Sequence, residues 1–211
     1  MLPHSGQRIA TYGPPPGTGR GVMILAHGRG ADPESILELA PFFERDDLSF
    51  LAPAAAGHTW YPYSFLAPLA DNEPGISSGL HTLGTLVAQA RVAGHAPGEI
   101  FLGGFSQGAC LAATFAARHP DAYGGLLVFS GGLIGPEGMA FDYPGSLAGV
   151  PVFIGCSDRD AHVPRWRVEE TADVLRRMGA DVDLRLYPNM PHTINADELR
   201  TARALIDRRL G

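Results

Sequence analysis

Five near-continuous apolar runs, each closed by a turn residue and separated by segments of helical spacing, constrain how this chain can fold. Val22 to Ala26 ends at His27-Gly28, Ser49 to Ala52 at Pro53, and Ile100 to Phe105 at Ser106. Gly125 to Phe129 ends at Ser130-Gly131, and Val152 to Cys156 at Ser157-Asp158. Strands covered on both faces read this way, because neither face can be polar. A further run, Val182 to Tyr187, alternates apolar and polar residues, which suits a sheet edge. Helical spacing predicts helices over Pro33 to Arg45, Ile76 to Ala93, Gln107 to Arg118, Arg165 to Met178 and Ala196 to Leu210. Strands and helices in this order predict an α/β class: a mostly parallel central sheet with helices on both faces.

At 211 residues, one domain spanning residues 1–211 is expected. Two irregular stretches interrupt the alternation, the aromatic-rich Ala54 to Glu73 and the glycine-rich Gly131 to Gly149. Neither is large enough to form a cap domain. The formal charge of −6 and the lack of a basic run argue against nucleic acid as a partner. No apolar stretch approaches the ~20 residues of a membrane span, so no integral membrane association is expected. The start shows no cationic segment followed by an apolar run, and Cys110 and Cys156 read as reduced core residues. These features together predict a cytoplasmic protein.

Gly104-Phe105-Ser106-Gln107-Gly108 is a G-x-S-x-G motif between an apolar strand and an Ala-rich helix. In that setting the serine stands on a sharp turn that suits a nucleophile, and the helix N-terminus faces a developing oxyanion. A serine hydroxyl needs a base near neutral pH, and in such folds a carboxylate and then a histidine follow in the chain. His192, in Asn189-Met190-Pro191-His192-Thr193 after the last strand, is the favoured base, with His162 second. The acid is Asp158 or Asp160, both just beyond the strand ending at Cys156, and their positions alone do not separate them. The oxyanion hole is expected from the backbone N–H of Gln107 and of Arg29, the latter in His27-Gly28-Arg29-Gly30. His27 fits a structural hydrogen-bonding role better than a catalytic one.

His27-Gly28-Arg29-Gly30, Gly104-Phe105-Ser106-Gln107-Gly108-Ala109, Ser130-Gly131-Gly132 and Asp160-Ala161-His162-Val163-Pro164 together resemble the carboxylesterase/phospholipase family. That family includes bacterial carboxylesterases and acyl-protein thioesterases, and the resemblance runs from about Val22 to Leu210. It implies a single-domain α/β-hydrolase fold without a large cap. It also implies Asp160 as the acid, since the family's acidic residue directly precedes an x-x-Val-Pro tail, and it places the family's histidine on His192. Two departures weigh against lysophospholipid and acyl-protein substrates. Family thioesterases often have Leu where Arg29 stands and an aspartate directly after the second glycine, where this chain inserts Ala31 before Asp32.

The expected activity is hydrolysis of small carboxylic esters through an acyl-enzyme on Ser106, with a small-molecule ester as partner and no metal or organic cofactor. A thioesterase or lysophospholipase would use the same residues, and a binding protein on this scaffold is the non-enzymatic alternative. Trp60, Tyr61, Tyr63, Phe65, Leu66, Leu133 and Ile134 lie on loops that suit apolar walls around the site. The aromatic segment Trp60 to Phe65 serves equally as a pocket wall or as a homodimer contact.

Overall fold

The computed structural model describes residues 2–211. A short strand β1 (Ile9–Tyr12) precedes β2 (Gly21–Ala26), helix α1 (Pro33–Leu37) and β3 (Leu48–Pro53). Helix α2 (Gly75–Val92), β4 (Ile100–Phe105), α3 (Gln107–Arg118) and β5 (Gly125–Phe129) follow. The chain closes with β6 (Pro151–Ser157), α4 (Arg165–Arg177), β7 (Asp181–Tyr187) and α5 (Ala196–Leu210). The seven strands form one sheet in the order β1-β3-β2-β4-β5-β6-β7. All neighbours run parallel except β1, which pairs antiparallel with β3.

Each central strand divides its side chains between two apolar layers by its period of two. Val22, Ile24, Ala26, Leu102, Val128 and Ile154 face the layer formed with α2, α3 and α4. Met23, Leu25, Phe101, Leu127, Phe129 and Phe153 face the layer formed with α1 and α5. Strands buried on both faces explain the near-continuous apolar runs. Strand β7 lies at the sheet edge and its side chains are mostly half-buried, in keeping with its alternation.

Two elements differ from the sequence reading. Strand β1 gave no signal because it is short and largely exposed on the antiparallel edge. The helix expected over Pro33 to Arg45 stops at Leu37, and a 3₁₀ turn covers Ala40–Phe43. Pro41 has no N–H for the Leu37 carbonyl, and its ring would strike that carbonyl in a continuous helix. The glycine-rich stretch after β5 holds no helix or strand until β6. Its backbone is instead satisfied by side chains: Arg167 donates to the carbonyls of Leu133, Gly135 and Pro136. Among the described residues, no helix is long and apolar enough to cross a membrane.

Helix α3 packs closely on the end of β2, and Gly108 makes this approach: a Cβ there would lie 2.1 Å from the Ala26 carbonyl oxygen. Gly84 on α2 differs, since a Cβ there would meet the Phe115 ring at 3.4 Å. Gly108→Ala is therefore expected to destabilise the fold by about 3 kcal/mol. Gly84→Ala should be neutral or stabilising by up to about 1 kcal/mol, the helix gain of alanine. Urea midpoints of the two variants check this, and an unshifted midpoint for Gly108→Ala would contradict the packing.

Candidate active site

The parallel strands all end on one side of the sheet, so the loops that follow β2, β4, β6 and β7 converge there. Ser106 is the single residue between β4 and α3, with φ 54° and ψ −118°. A non-glycine residue at positive φ costs roughly 1–3 kcal/mol and persists only where its surroundings enforce it. Here the Ser106 N–H donates to the Phe129 carbonyl at 2.9 Å, and its own carbonyl accepts from the Cys110 N–H at 3.0 Å. Gly104 completes the turn, since a Cβ on it would lie 2.6 Å from the Ala26 carbonyl oxygen.

The loop between β7 and α5 brings His192 to this turn. Its Nε2 lies 2.8 Å from Ser106 Oγ and its Nδ1 lies 2.6 Å from Asp160 Oδ2. The other carboxylate oxygen, Asp160 Oδ1, accepts from the backbone N–H of His162 at 2.8 Å and of Val163 at 3.0 Å. The Asp160 side chain is fully buried. Burial works against its charge, but the bonds from the His192 ring and these two N–H groups outweigh it and hold the carboxyl below its usual range. Asp158, the other aspartate of the loop, instead accepts from the Asn189 N–H at 2.8 Å and so ties down the segment leading to His192. His162 does not reach Ser106 by hydrogen bond; its ring stands edge-on to His192 at 4.8 Å.

His27 is buried, and burial lowers its pKa. Nε2 accepts from the Ala55 N–H at 3.1 Å, so the proton sits on Nδ1, which donates to the Gly28 carbonyl at 2.8 Å. In a trans peptide the adjoining N–H points opposite to the carbonyl. Anchoring the Gly28 carbonyl therefore fixes the direction of the Arg29 N–H. The Gln107 N–H is at the first turn of α3, where no helical acceptor exists. The Gln107 side chain is held by the aromatic loop, accepting from the Trp60 N–H at 2.8 Å and donating to the Tyr61 carbonyl at 2.8 Å.

A cavity of about 500 Å³ opens beside Ser106 and His192, bordered by Arg29, Tyr61, Tyr63, Phe65, Phe105 and Val163 among others. Four residues expected at its wall are elsewhere. Trp60 is fully buried beneath the loop, where its indole N–H donates to the His27 carbonyl at 2.9 Å. Leu133 and Ile134 are also fully buried, with their N–H groups bonded to Thr171 Oγ1 and Thr114 Oγ1. Their side chains join the core because α3 and α4 supply those hydroxyl acceptors. Leu66 also packs against the core rather than bordering the cavity. Phe105, Cys110 and Val163 border the cavity without having been singled out. Position relative to the motifs was the available signal: Phe105 precedes the serine, Cys110 lies one helical turn beyond it, and Val163 follows the acid.

The model of the family described as Phospholipase/Carboxylesterase matches residues 14–209. The chain belongs to the phospholipase/carboxylesterase family. A crystal structure of a phospholipase/carboxylesterase from Dyadobacter fermentans is 39% identical, with a TM-score of 0.92 and 98% of each chain covered. A probable carboxylesterase of Oryza sativa subsp. japonica is 26% identical, over 91% of this chain and 89% of that protein. Acyl-protein thioesterase 1 of Kluyveromyces lactis is 24% identical, over 94% of this chain and 95% of that protein. The sheet and its flanking helices are those of the α/β-hydrolase fold.

In this phospholipase/carboxylesterase family member the His192 loop is anchored to α5 by a reciprocal cap. Asn195 Oδ1 accepts from the N–H groups of Asp197 and Glu198, and Glu198 Oε2 accepts from the Asn195 N–H at 2.7 Å. Glu198 is fully buried, and its Oε1 has no hydrogen-bond partner. Burial pushes its pKa up to about 7. The folded state thus holds this proton more tightly than the unfolded chain, so stability falls as pH rises from about 4.5 to 7 and stays reduced above that. Glu198→Gln keeps the cap and removes the charge. The variant should gain about 3 kcal/mol over the parent at pH 8 and nothing below pH 4.5, measured by urea unfolding. Parallel profiles across that range would contradict the assignment.

Proposed function

We propose that the chain acts, as one α/β-hydrolase domain, as a serine esterase that cleaves small carboxylic esters through an acyl-enzyme on Ser106. The observation that carries the reading is the unbroken hydrogen-bond chain from Ser106 Oγ through the His192 ring to the buried Asp160 carboxylate. His192 Nε2 takes the hydroxyl proton as Ser106 Oγ attacks the acyl carbon. Asp160 holds the Nδ1 proton, fixing the tautomer that leaves Nε2 free to accept, and stabilises the imidazolium that forms. The tetrahedral oxyanion receives the N–H groups of Gln107 and Arg29, a donor pair of which each member contributes roughly 3–4 kcal/mol in comparable sites. His192 then protonates the leaving alcohol, and a water repeats the cycle on the acyl-enzyme.

The cavity supports small substrates. Its volume of about 500 Å³ and its Tyr61, Phe65, Phe105 and Val163 walls favour a short acyl or aryl group. The buried free thiols of Cys110 and Cys156 suit a reducing compartment, and we place the protein in the cytoplasm.

Ser106→Ala should fold normally and lose about 10⁴-fold or more of kcat on 4-nitrophenyl acetate. Retained turnover in that variant would remove the reading. Asp160→Asn and Asp158→Asn separate the two aspartates. The first breaks the bond to His192 Nδ1 and should cost about 10³- to 10⁴-fold in kcat. The second leaves the Ser106–His192–Asp160 chain intact and should cost about tenfold or less. The reverse order would move the acid to Asp158.

A further inference from the structure

Arg29 brings a full charge to the cavity that the ester chemistry does not use. Its guanidinium donates from Nη1 to the Pro62 carbonyl at 2.8 Å and from Nη2 to the Tyr63 carbonyl at 2.5 Å. It also lies over the Tyr61 ring, 5.9 Å from the centroid. Both hydrogen-bonding partners are neutral, and an arginine fork has more donors than these two contacts engage. Asp32, the nearest acid in sequence, is occupied elsewhere, its Oδ1 accepting from the Ser35 N–H at the start of α1. Among the described residues, none of the ion pairs includes Arg29, whereas arginines at 8, 45, 165, 185 and 203 each pair with a carboxylate.

The surroundings sharpen the point. The residues bordering the cavity include no aspartate or glutamate, although the whole chain carries a formal charge of −6. Arg29 is therefore the one permanently charged side chain bordering the cavity, a cation on a negative protein, and it favours an anion there. The two carbonyl contacts hold the fork in one orientation before any ligand arrives. A planar guanidinium fixed in this way matches the two oxygens of a carboxylate. Because the same residue offers its N–H at the oxyanion position, a group on the fork lies only a short spacer away from the scissile carbonyl.

We propose that the natural substrate is an ester bearing a carboxylate, which docks on the Arg29 guanidinium while its ester carbonyl sits at Ser106. The inference rests on the esterase reading above, so its test pairs each anionic ester with a neutral one of the same length. Monoethyl glutarate and ethyl pentanoate place the charge on the acyl side. The acetate ester of 3-hydroxypropanoate and propyl acetate place it on the alcohol side.

In one of these pairs the anion should show a kcat/KM about 10- to 100-fold above its neutral partner at low ionic strength, and added salt should shrink the ratio. Which pair responds identifies the side of the ester that carries the acid. Arg29→Gln should bring that ratio close to one, mainly through KM for the anion, and Arg29→Lys should retain part of it. Glutarate or 3-hydroxypropanoate should likewise bind the Ser106→Ala protein in calorimetry and lose at least tenfold in affinity when Arg29→Gln is added. A ratio near one for both pairs in the parent protein, or a ratio that Arg29→Gln leaves unchanged, would overturn the proposal. Turnover of the neutral esters would in those cases leave the esterase reading standing, and failure to hydrolyse any of the four would remove both.

Discussion

The backbone of Ser106 is the constraint on which the site is built. Its positive φ stands the hydroxyl clear of the sheet, and the strain is held by bonds to Phe129 and Cys110 on either side. That turn exists only because Gly104 and Gly108 let α3 approach the end of β2 to distances that a side chain would forbid. Folding energy from the two apolar layers is thus stored as a fixed position for one oxygen atom. The remaining groups arrive on loops, and each loop is tied down separately. His27 anchors the first, Gln107 the aromatic loop, Asp158 and the Asn195–Glu198 cap the loop that carries His192.

Polar groups in this region divide into those that are charged and satisfied and those that are neutral and buried. Asp160 keeps its charge out of solvent because the ring and two N–H groups surround it. Glu198, with one oxygen unpartnered, takes the opposite course and holds its proton into the neutral range. His27 stays neutral so that one nitrogen can accept and the other donate. Arg29 belongs to neither group. Its charge is tethered but unmatched, and that imbalance at the mouth of the cavity sets this chain apart from a purely apolar esterase pocket.

Much of the architecture was legible in the residues because double-sided burial writes itself as unbroken apolar runs. The runs from β2 to β6 emerged within one residue of their expected ends. Strand β1 was invisible for the converse reason, an exposed edge carries no such pattern. Pro41 marked the end of α1, but helical spacing on both sides of it masked the break. Around the site, the residue types and their order along the chain pointed to Ser106 and His192, which the fold brings to 2.8 Å of each other. The two aspartates, two residues apart on one loop, needed the family's x-x-Val-Pro pattern or the coordinates to tell them apart. Loop side chains were the least legible. Trp60, Leu133 and Ile134 look like pocket aromatics and aliphatics in sequence, yet they point inward: the Trp60 indole donates to the His27 carbonyl, and the Leu133 and Ile134 N–H groups donate to the hydroxyls of Thr171 and Thr114.

The central claim is that the hydrogen-bond chain from Asp160 through His192 activates Ser106 and no other residue. Labelling the native protein with a fluorophosphonate, followed by mass spectrometry of the digested adduct, tests it directly. The account predicts one phosphonyl group per chain, on Ser106, and its loss when His192 is replaced by alanine. A folded protein that takes no label, or one labelled at a different residue, would contradict it.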